Sequence, residues 1–279
     1  MLVVVIAIAA VLLSTGAVHT GQQHDLGWKL VWHDEFSSRA LAPRKWLVED
    51  RSTFGEGNGE LACLMDRPDN VALRDGVLSL RAQHESVPLP CGSQDARFPQ
   101  GREYSSAMIS TKGKAAWTYG RFEIRARLPT QRATSKGLWP AFWLRPTDGG
   151  AGELDALEAI GGDASSSEWN QVHHTIWFDY DSSFPQESTS VEFPSGSPSD
   201  GFHTYVVKWQ RGSIRWYVDR RLTYARSRVS TPWLDDAFNR PFFLRLNLAV
   251  GGSWPGEPDA ATAFPADYAI DYVRVYQWR

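Results

Sequence analysis

Strict alternation of apolar and polar residues is the feature that most limits what this chain can fold into. "RFEIRARL" (121–128) sends Phe122, Ile124, Ala126 and Leu128 one way and Arg121, Glu123, Arg125 and Arg127 the other. "FFLRLNLAV" (242–250) likewise sets Phe242, Leu244, Leu246, Leu248 and Val250 against Arg245 and Asn247. A period of two belongs to a half-buried β-strand, whose successive side chains leave opposite faces of the pleat. "HTYVVKWQRGSIRWYVD" (203–219) reads as two more strands around Arg211-Gly212, a hairpin. No helical period is sustained after the N-terminus, and no repeat or long linker divides the chain. The expectation is an all-β fold, a β-jelly-roll sandwich of two curved antiparallel sheets whose polar face forms a concave cleft. The Ser/Pro-rich "DSSFPQESTSVEFPSGSPSDG" (181–201) is expected as a surface loop beside that cleft. A chain of 279 residues can bury a large core, and residues 27–279 are expected to form a single domain.

Charge nominates no partner: 29 Lys+Arg against 32 Asp+Glu, a formal net of -3, offers no basic field to nucleic acid or an anionic membrane. The 13 Trp supply flat apolar faces that suit sugar rings, although most buried Trp is core. The apolar run "LVVVIAIAAVLL" (2–13), followed by small residues at Thr15 and Ala17, reads as an export signal over residues 1–17. The alternative is a retained membrane anchor. In an exported chain the pair Cys63 and Cys91 is expected to form a disulfide. The product is expected to be a secreted monomer.

"GELDALEAIG" (152–161) crowds Glu153, Asp155 and Glu158 among apolar neighbours. A solvated acidic face is the plain reading, but Leu154, Ala156, Leu157, Ala159 and Ile160 place the segment inside a sheet, where acids are held at a cost. Two carboxyls flanking a glycosidic bond can hydrolyse it, with retention of configuration when they stand roughly 5 to 5.5 Å apart. On a regular strand Glu153 and Asp155 share a face and Glu158 points away. A β-bulge at Ala156 or Leu157 would reverse the parity and return Glu158 to the same side. Glu153 is then the expected nucleophile and Glu158 the acid/base, with Asp155 holding the nucleophile and raising the acid's pKa by repulsion.

The chain resembles glycoside hydrolase family 16, in particular its bacterial laminarinase-like endo-β-1,3-glucanases, which carry E-x-D-x-x-E. "GWKLVWHDEF", "GNGEL", "RPDNV", "STKGKAAWTYGRFEIRARLP", "GLWPAFWLRP", "GFHTYVVKWQRGSIRWYVD" and "LNLAVGGSWPGEPDAATAFP" through "DYVRVYQ" look like family segments in the family's order. The resemblance implies a jelly roll with an open cleft and a retaining double displacement that needs no cofactor. Its implied substrate is a β-1,3-linked glucan, although galactan-cleaving relatives share the spacing. Trp139 and Trp143 share strand parity and are expected to stack sugar rings, as is Trp254 of "VGGSW". Asn58, Arg121, His173 and Asn247 match sugar-contacting positions. The resemblance also implies a structural calcium at Asp271 with backbone oxygens near Glu35 and Gly76, a set suited to a hard cation. Trp177 departs from the pattern, standing where a histidine is common. Adjacent His173 and His174 point apart on a strand and make no metal pair. The rival functions are a non-catalytic β-glucan-binding protein and a related hydrolase or transglycosylase acting on mixed-linkage glucan or galactan, the transglycosylase resolving the same intermediate with sugar.

Overall fold

The alternating segments become strands where their period puts them, in a computed structural model that describes residues 27–53, 56–92, 96–179, 183, 185–193 and 196–279. The export signal expected over residues 1–17 lies outside the described residues. In chain order the strands are β1 (Trp28–Asp34), β2 (Leu47–Val48), β3 (Ala62–Leu64), β4 (Val71–Arg74), β5 (Val77–Leu89), β6 (Arg102–Ser110), β7 (Gly120–Arg127) and β8 (Leu138–Pro146). They continue as β9 (Glu153–Glu158), β10 (Gln171–Trp177), β11 (Gln186–Glu192), β12 (His203–Gln210), β13 (Ser213–Val218), β14 (Arg221–Ser227), β15 (Phe242–Val250) and β16 (Ala266–Trp278). The only α-helix among the described residues is the short α1 (Leu234–Ala237).

The hydrogen-bonded path runs β11-β10-β9-β8-β15-β6-β5-β16-β7-β12-β13-β14 and curls into the two layers expected of a jelly roll. Strand β5 joins them, because its first half pairs with β16 and its second half with β6. Phe122, Ile124 and Ala126 of β7 and Leu244, Leu246 and Leu248 of β15 are all fully buried in one apolar cluster between the layers. Each of the larger side chains, Phe122, Ile124 and the three leucines, contributes about 1.5–3 kcal/mol over its exposed state. Their polar neighbours therefore line the two outer faces.

Two details differ from expectation. The Ser/Pro-rich stretch is not all loop: Gln186–Glu192 pairs with β10 as the edge strand β11. Its side chains alternate between exposed and half-buried, so an apolar criterion misses it. The sheets are also not wholly antiparallel, since β3 runs parallel to β6.

Cys63 and Cys91 are joined in a disulfide with a Cα–Cα distance of 5.7 Å, and Cys63 is fully buried. The bridge spans a sequence separation of 28 residues, for which loop-closure entropy gives about 3–4 kcal/mol of stabilisation. Cys91→Ser is expected to lower Tm by on the order of 10 °C in a domain of this size. Calorimetry of the variant beside the oxidised wild type checks this, and an unchanged Tm would show the bridge to be dispensable.

Candidate active site

Strand β9 carries the bulge that its parity demanded. On the β8 side Leu157 pairs with Phe142 and Asp155 with Trp143, so Ala156 is extra. On the β10 side Glu158 pairs with His173 and Asp155 with Thr175, which again leaves one residue too many on β9. Leu154, Ala156 and Leu157 all enter the core, completely buried, and the three acids Glu153, Asp155 and Glu158 share the other face. Glycines bracket the segment for steric reasons. A Cβ on Gly152 would lie 2.6 Å from the Phe242 ring and 2.8 Å from the Ala237 carbonyl oxygen, with φ at +109°. One on Gly161 would lie 1.6 Å from the Ser135 carbonyl oxygen.

Cross-strand register assembles the rest of the face. One row reads Met108, Asn247, Ala141, Glu158, His173 across β6, β15, β8, β9 and β10, and the next reads Ser110, Arg245, Trp143, Asp155, Thr175. Trp139 donates its indole N–H to Glu158 Oε1 at 3.1 Å, and Trp143 donates to Asn247 Oδ1 at 2.7 Å. The Arg245 guanidinium lies 4.7 Å from the Trp143 ring centre. Arg145, one alternation further along β8, donates to the Gly152 carbonyl and stands 4.0 Å from Glu153 Oε2.

These surroundings divide the acids electrically. Burial, and then the negative charge of Glu153, push the Glu158 carboxyl up to about 8, although hydrogen bonds from Trp139 and Thr175 pull the other way. Asp155 is raised well above the carboxylate range by burial first, then by Glu153 and Glu158, with Arg145 and a hydrogen bond from Trp177 opposing. Glu158 therefore holds its proton at neutral pH. The charge that raises it is that of Glu153, where the sequence pointed to Asp155. The Trp177 side chain hydrogen-bonds Asp155.

A platform adjoins Glu158. The Trp254 ring meets Trp139 edge-on at 5.2 Å and His173 at 4.8 Å, and it remains 39% exposed. His173 is hydrogen-bonded to Glu168 at 3.1 Å. The Asn58 carbonyl accepts from the Ser253 N–H at 2.7 Å, tying the "GNGEL" loop to the loop that carries Trp254. Beside Asn58, and hydrogen-bonded to its side chain, burial raises the Glu60 carboxyl to about 7. Sequence reading named Trp139, Trp143, His173, Asn247, Trp254 and Asn58. It missed Arg145, Thr175 and Glu60, of which the first two were accessible by extending the alternation of β8 and β10.

Arg121 is not brought to this site. It stands on β7, in the other layer, opposite in parity to the buried Phe122 and Ile124. Its guanidinium pairs with Glu123 and lies 4.7 Å from the Tyr276 ring centre. Alternation identified a polar face correctly but not which layer the face belongs to.

Glu35, Gly76 and Asp271 stand on neighbouring elements. Along one edge of β16, Ile270 pairs with Leu78 of β5 and Val273 with Asp34 of β1. Asp271 therefore sits in the gap between the two partner strands, where the β4–β5 turn at Gly76 meets the end of β1. The Asp271 carboxylate pairs with Arg125, and that of Glu35 takes two hydrogen bonds from Arg274. Backbone oxygens and Asp271 fit a hard cation, which would compete with Arg125 for the carboxylate. Among the described residues no group of three or more His, Cys, Asp and Glu side chains could hold a metal.

Comparison with known proteins agrees with the fold. The family model for "Glycosyl hydrolases family 16" matches residues 60–274. The chain is 38% identical over 274 residues to the "Beta-glucanase" of Rhodothermus marinus, covering 90% of this chain and 86% of that one. It is 36% identical to "Glucan endo-1,3-beta-glucosidase A1" of Niallia circulans, covering 90% of this chain and 38% of that protein. The crystal structure of the laminarinase catalytic domain from Thermotoga maritima superposes with a TM-score of 0.75 at 33% identity, covering 91% of this chain and 99% of that one.

Proposed function

Because the chain belongs to glycosyl hydrolase family 16, we propose that it is a secreted, retaining endo-β-1,3-glucanase that hydrolyses laminarin-like glucans. The observation that carries this reading is the bulge that sets a protonated Glu158 on the same face as Glu153. Glu153 attacks the anomeric carbon while Glu158 gives its proton to the departing glycosidic oxygen, and a covalent glycosyl-enzyme forms. Glu158, now a carboxylate, takes a proton from water as the water oxygen displaces Glu153, and two inversions leave the configuration retained. Asp155 stands between the two glutamates and steadies the nucleophile, a role supported by its burial and its Trp177 partner. Trp139, Trp254, His173 and Asn58 serve as sugar platform and hydrogen-bonding rim on one side of the scissile bond, and Trp143, Asn247 and Arg245 on the other. Related glucanases support the linkage.

Laminarin, curdlan, lichenan and agarose, each incubated with the protein and followed by reducing ends, product mass and anomeric NMR, test the reading. Internal cleavage of laminarin with β-anomer released first is expected. Binding without cleavage would leave a glucan-binding protein, and longer transfer products in place of hydrolysis would leave a transglycosylase.

We assign residues 27–279 to one catalytic domain, acting as a monomer, with residues 1–17 removed on export. N-terminal sequencing of secreted protein and sedimentation check these assignments. A structural calcium at Asp271 completes the reading, supported by the strand register around it. Added Ca²⁺ is expected to raise Tm, and Asp271→Asn to abolish that rise. A Tm indifferent to both Ca²⁺ and chelator would remove the metal.

A further inference from the structure

A bulge takes one residue out of the ladder and leaves its backbone groups to find other partners. In β9 these partners come from the core side. His174 of β10 lies between the two residues that pair with Glu158 and Asp155, and its side chain points away from the cleft, wholly buried. His174 Nδ1 is 3.0 Å from the Ala156 carbonyl oxygen and Nε2 is 3.0 Å from Thr223 Oγ1. A carbonyl only accepts, so Nδ1 carries the proton and Nε2 accepts from the Thr223 hydroxyl, which fixes the tautomer. Burial is the main cause that lowers the imidazole to about 3, so the ring is neutral at every working pH. Trp216 of β13, also wholly buried, stacks against His174 with ring centres 6.0 Å apart and donates its indole N–H to the Asp155 carbonyl oxygen at 2.9 Å. Successive carbonyls of the bulge are thus each held by a side chain from behind.

We infer that His174 and Trp216 are positioning residues for the acid/base, fixing the bulge through the Ala156 and Asp155 carbonyls so that Glu158 is aimed at the glycosidic oxygen. Neither touches substrate. This inference rests on the roles given above to Glu153 and Glu158. Its physical content is directional: leucine fills the His174 space but offers no donor, while asparagine carries an amide N–H where Nδ1 stands. Glutamine places its amide one bond further out.

The test compares wild type, His174→Leu, His174→Asn, His174→Gln and Trp216→Phe on the β-1,3-glucan that the wild type cleaves. A second substrate carries a 2,4-dinitrophenolate leaving group, which departs without a proton. His174→Leu is expected to lower kcat on glucan by about 100-fold, the effect of a misplacement near 1 Å. KM on glucan should stay within about twofold, and kcat/KM on the activated substrate, which reports the first step before the base is needed, should lose little. His174→Asn is expected to regain most of the glucan activity and His174→Gln little, and Trp216→Phe to show the same leaving-group dependence as His174→Leu. A folded His174→Leu that keeps its glucan kcat, or that loses kcat/KM equally on both substrates, overturns the inference. Should the leucine variant fail to fold, equal activity of the asparagine and glutamine variants overturns it. Wild-type protein that cleaves neither substrate overturns the reading of the site itself, and this inference with it.

Discussion

Glu153→Ala is expected to lower kcat on β-1,3-glucan by roughly 10⁴- to 10⁶-fold, the loss seen when one member of a concerted catalytic set is removed. The variant should fold, because Glu153 brings a charge into a largely buried position rather than a packing contact. Azide added to Glu153→Ala can enter the vacated space and attack the anomeric carbon, with one inversion, to give an α-glycosyl azide. Glu158→Ala behaves differently. It should lose about 10²- to 10⁴-fold on glucan but keep much of its kcat/KM on a dinitrophenyl glycoside, whose departure needs no proton, while the glycosyl-enzyme accumulates for want of a base. Azide then intercepts the glycosyl-enzyme, and two inversions give a β-glycosyl azide. Product stereochemistry by NMR therefore assigns the two carboxyls separately. Exchange of the two azide outcomes would mean that the roles are reversed, and unimpaired hydrolysis by both variants would remove the mechanism.

The second large effect is on pH. Glu158 must carry its proton in the first step, and burial together with the Glu153 charge pushes it up to about 8. Activity is present while the group is protonated, so kcat/KM should hold through neutrality and fall tenfold per pH unit above about 8. Trp139→Phe removes a hydrogen bond that favours the charged form, so the basic limb should move to higher pH. Thr175→Val should shift it in the same direction. A basic limb near the ordinary glutamate range, or one indifferent to Trp139, would contradict this electrostatic picture. The same shift acts on stability with a definite sign. The folded protein retains the Glu158 proton to about 8 while the unfolded chain loses it near 4.5, the ordinary glutamate value. This contribution therefore weakens stability as pH rises across that interval. Glu60, raised to about 7 by burial, acts in the same direction over a narrower range.

The strands and the bulge could be read from the sequence because both follow from parity, which is local. Phe122 and Leu246 had to enter the core if their neighbours were charged, and Glu158 could rejoin Glu153 only through an extra residue. What parity leaves open is which layer an outward face belongs to, and Arg121 was misplaced for that reason. Edge strand β11 was hidden because nothing buries either of its faces completely, so Ser188 and Ser190 look like loop residues. Trp177 was judged by the residue it replaces, whereas its indole N–H finds Asp155, a partner on a different strand. His174 was least accessible of all. Its chemistry depends on Thr223 and Trp216, about 40 to 50 positions away in sequence, and no local pattern announces that they meet.

The bulge also limits how this chain can change. Deleting Ala156 would give an E-x-D-x-E strand whose acids share a face without any irregularity, and would bring them closer by about one strand rise of 3.3 Å. Parity alone would permit that shortening. The donors behind the strand oppose it, because His174 and Trp216 would then face a regular ladder whose carbonyls are already engaged, leaving buried N–H groups at about 1–3 kcal/mol each. Passage between the two spacings therefore needs coordinated change at β9, β10 and β13, and the single extra residue behaves as a ratchet: easily kept, and hard to lose one mutation at a time.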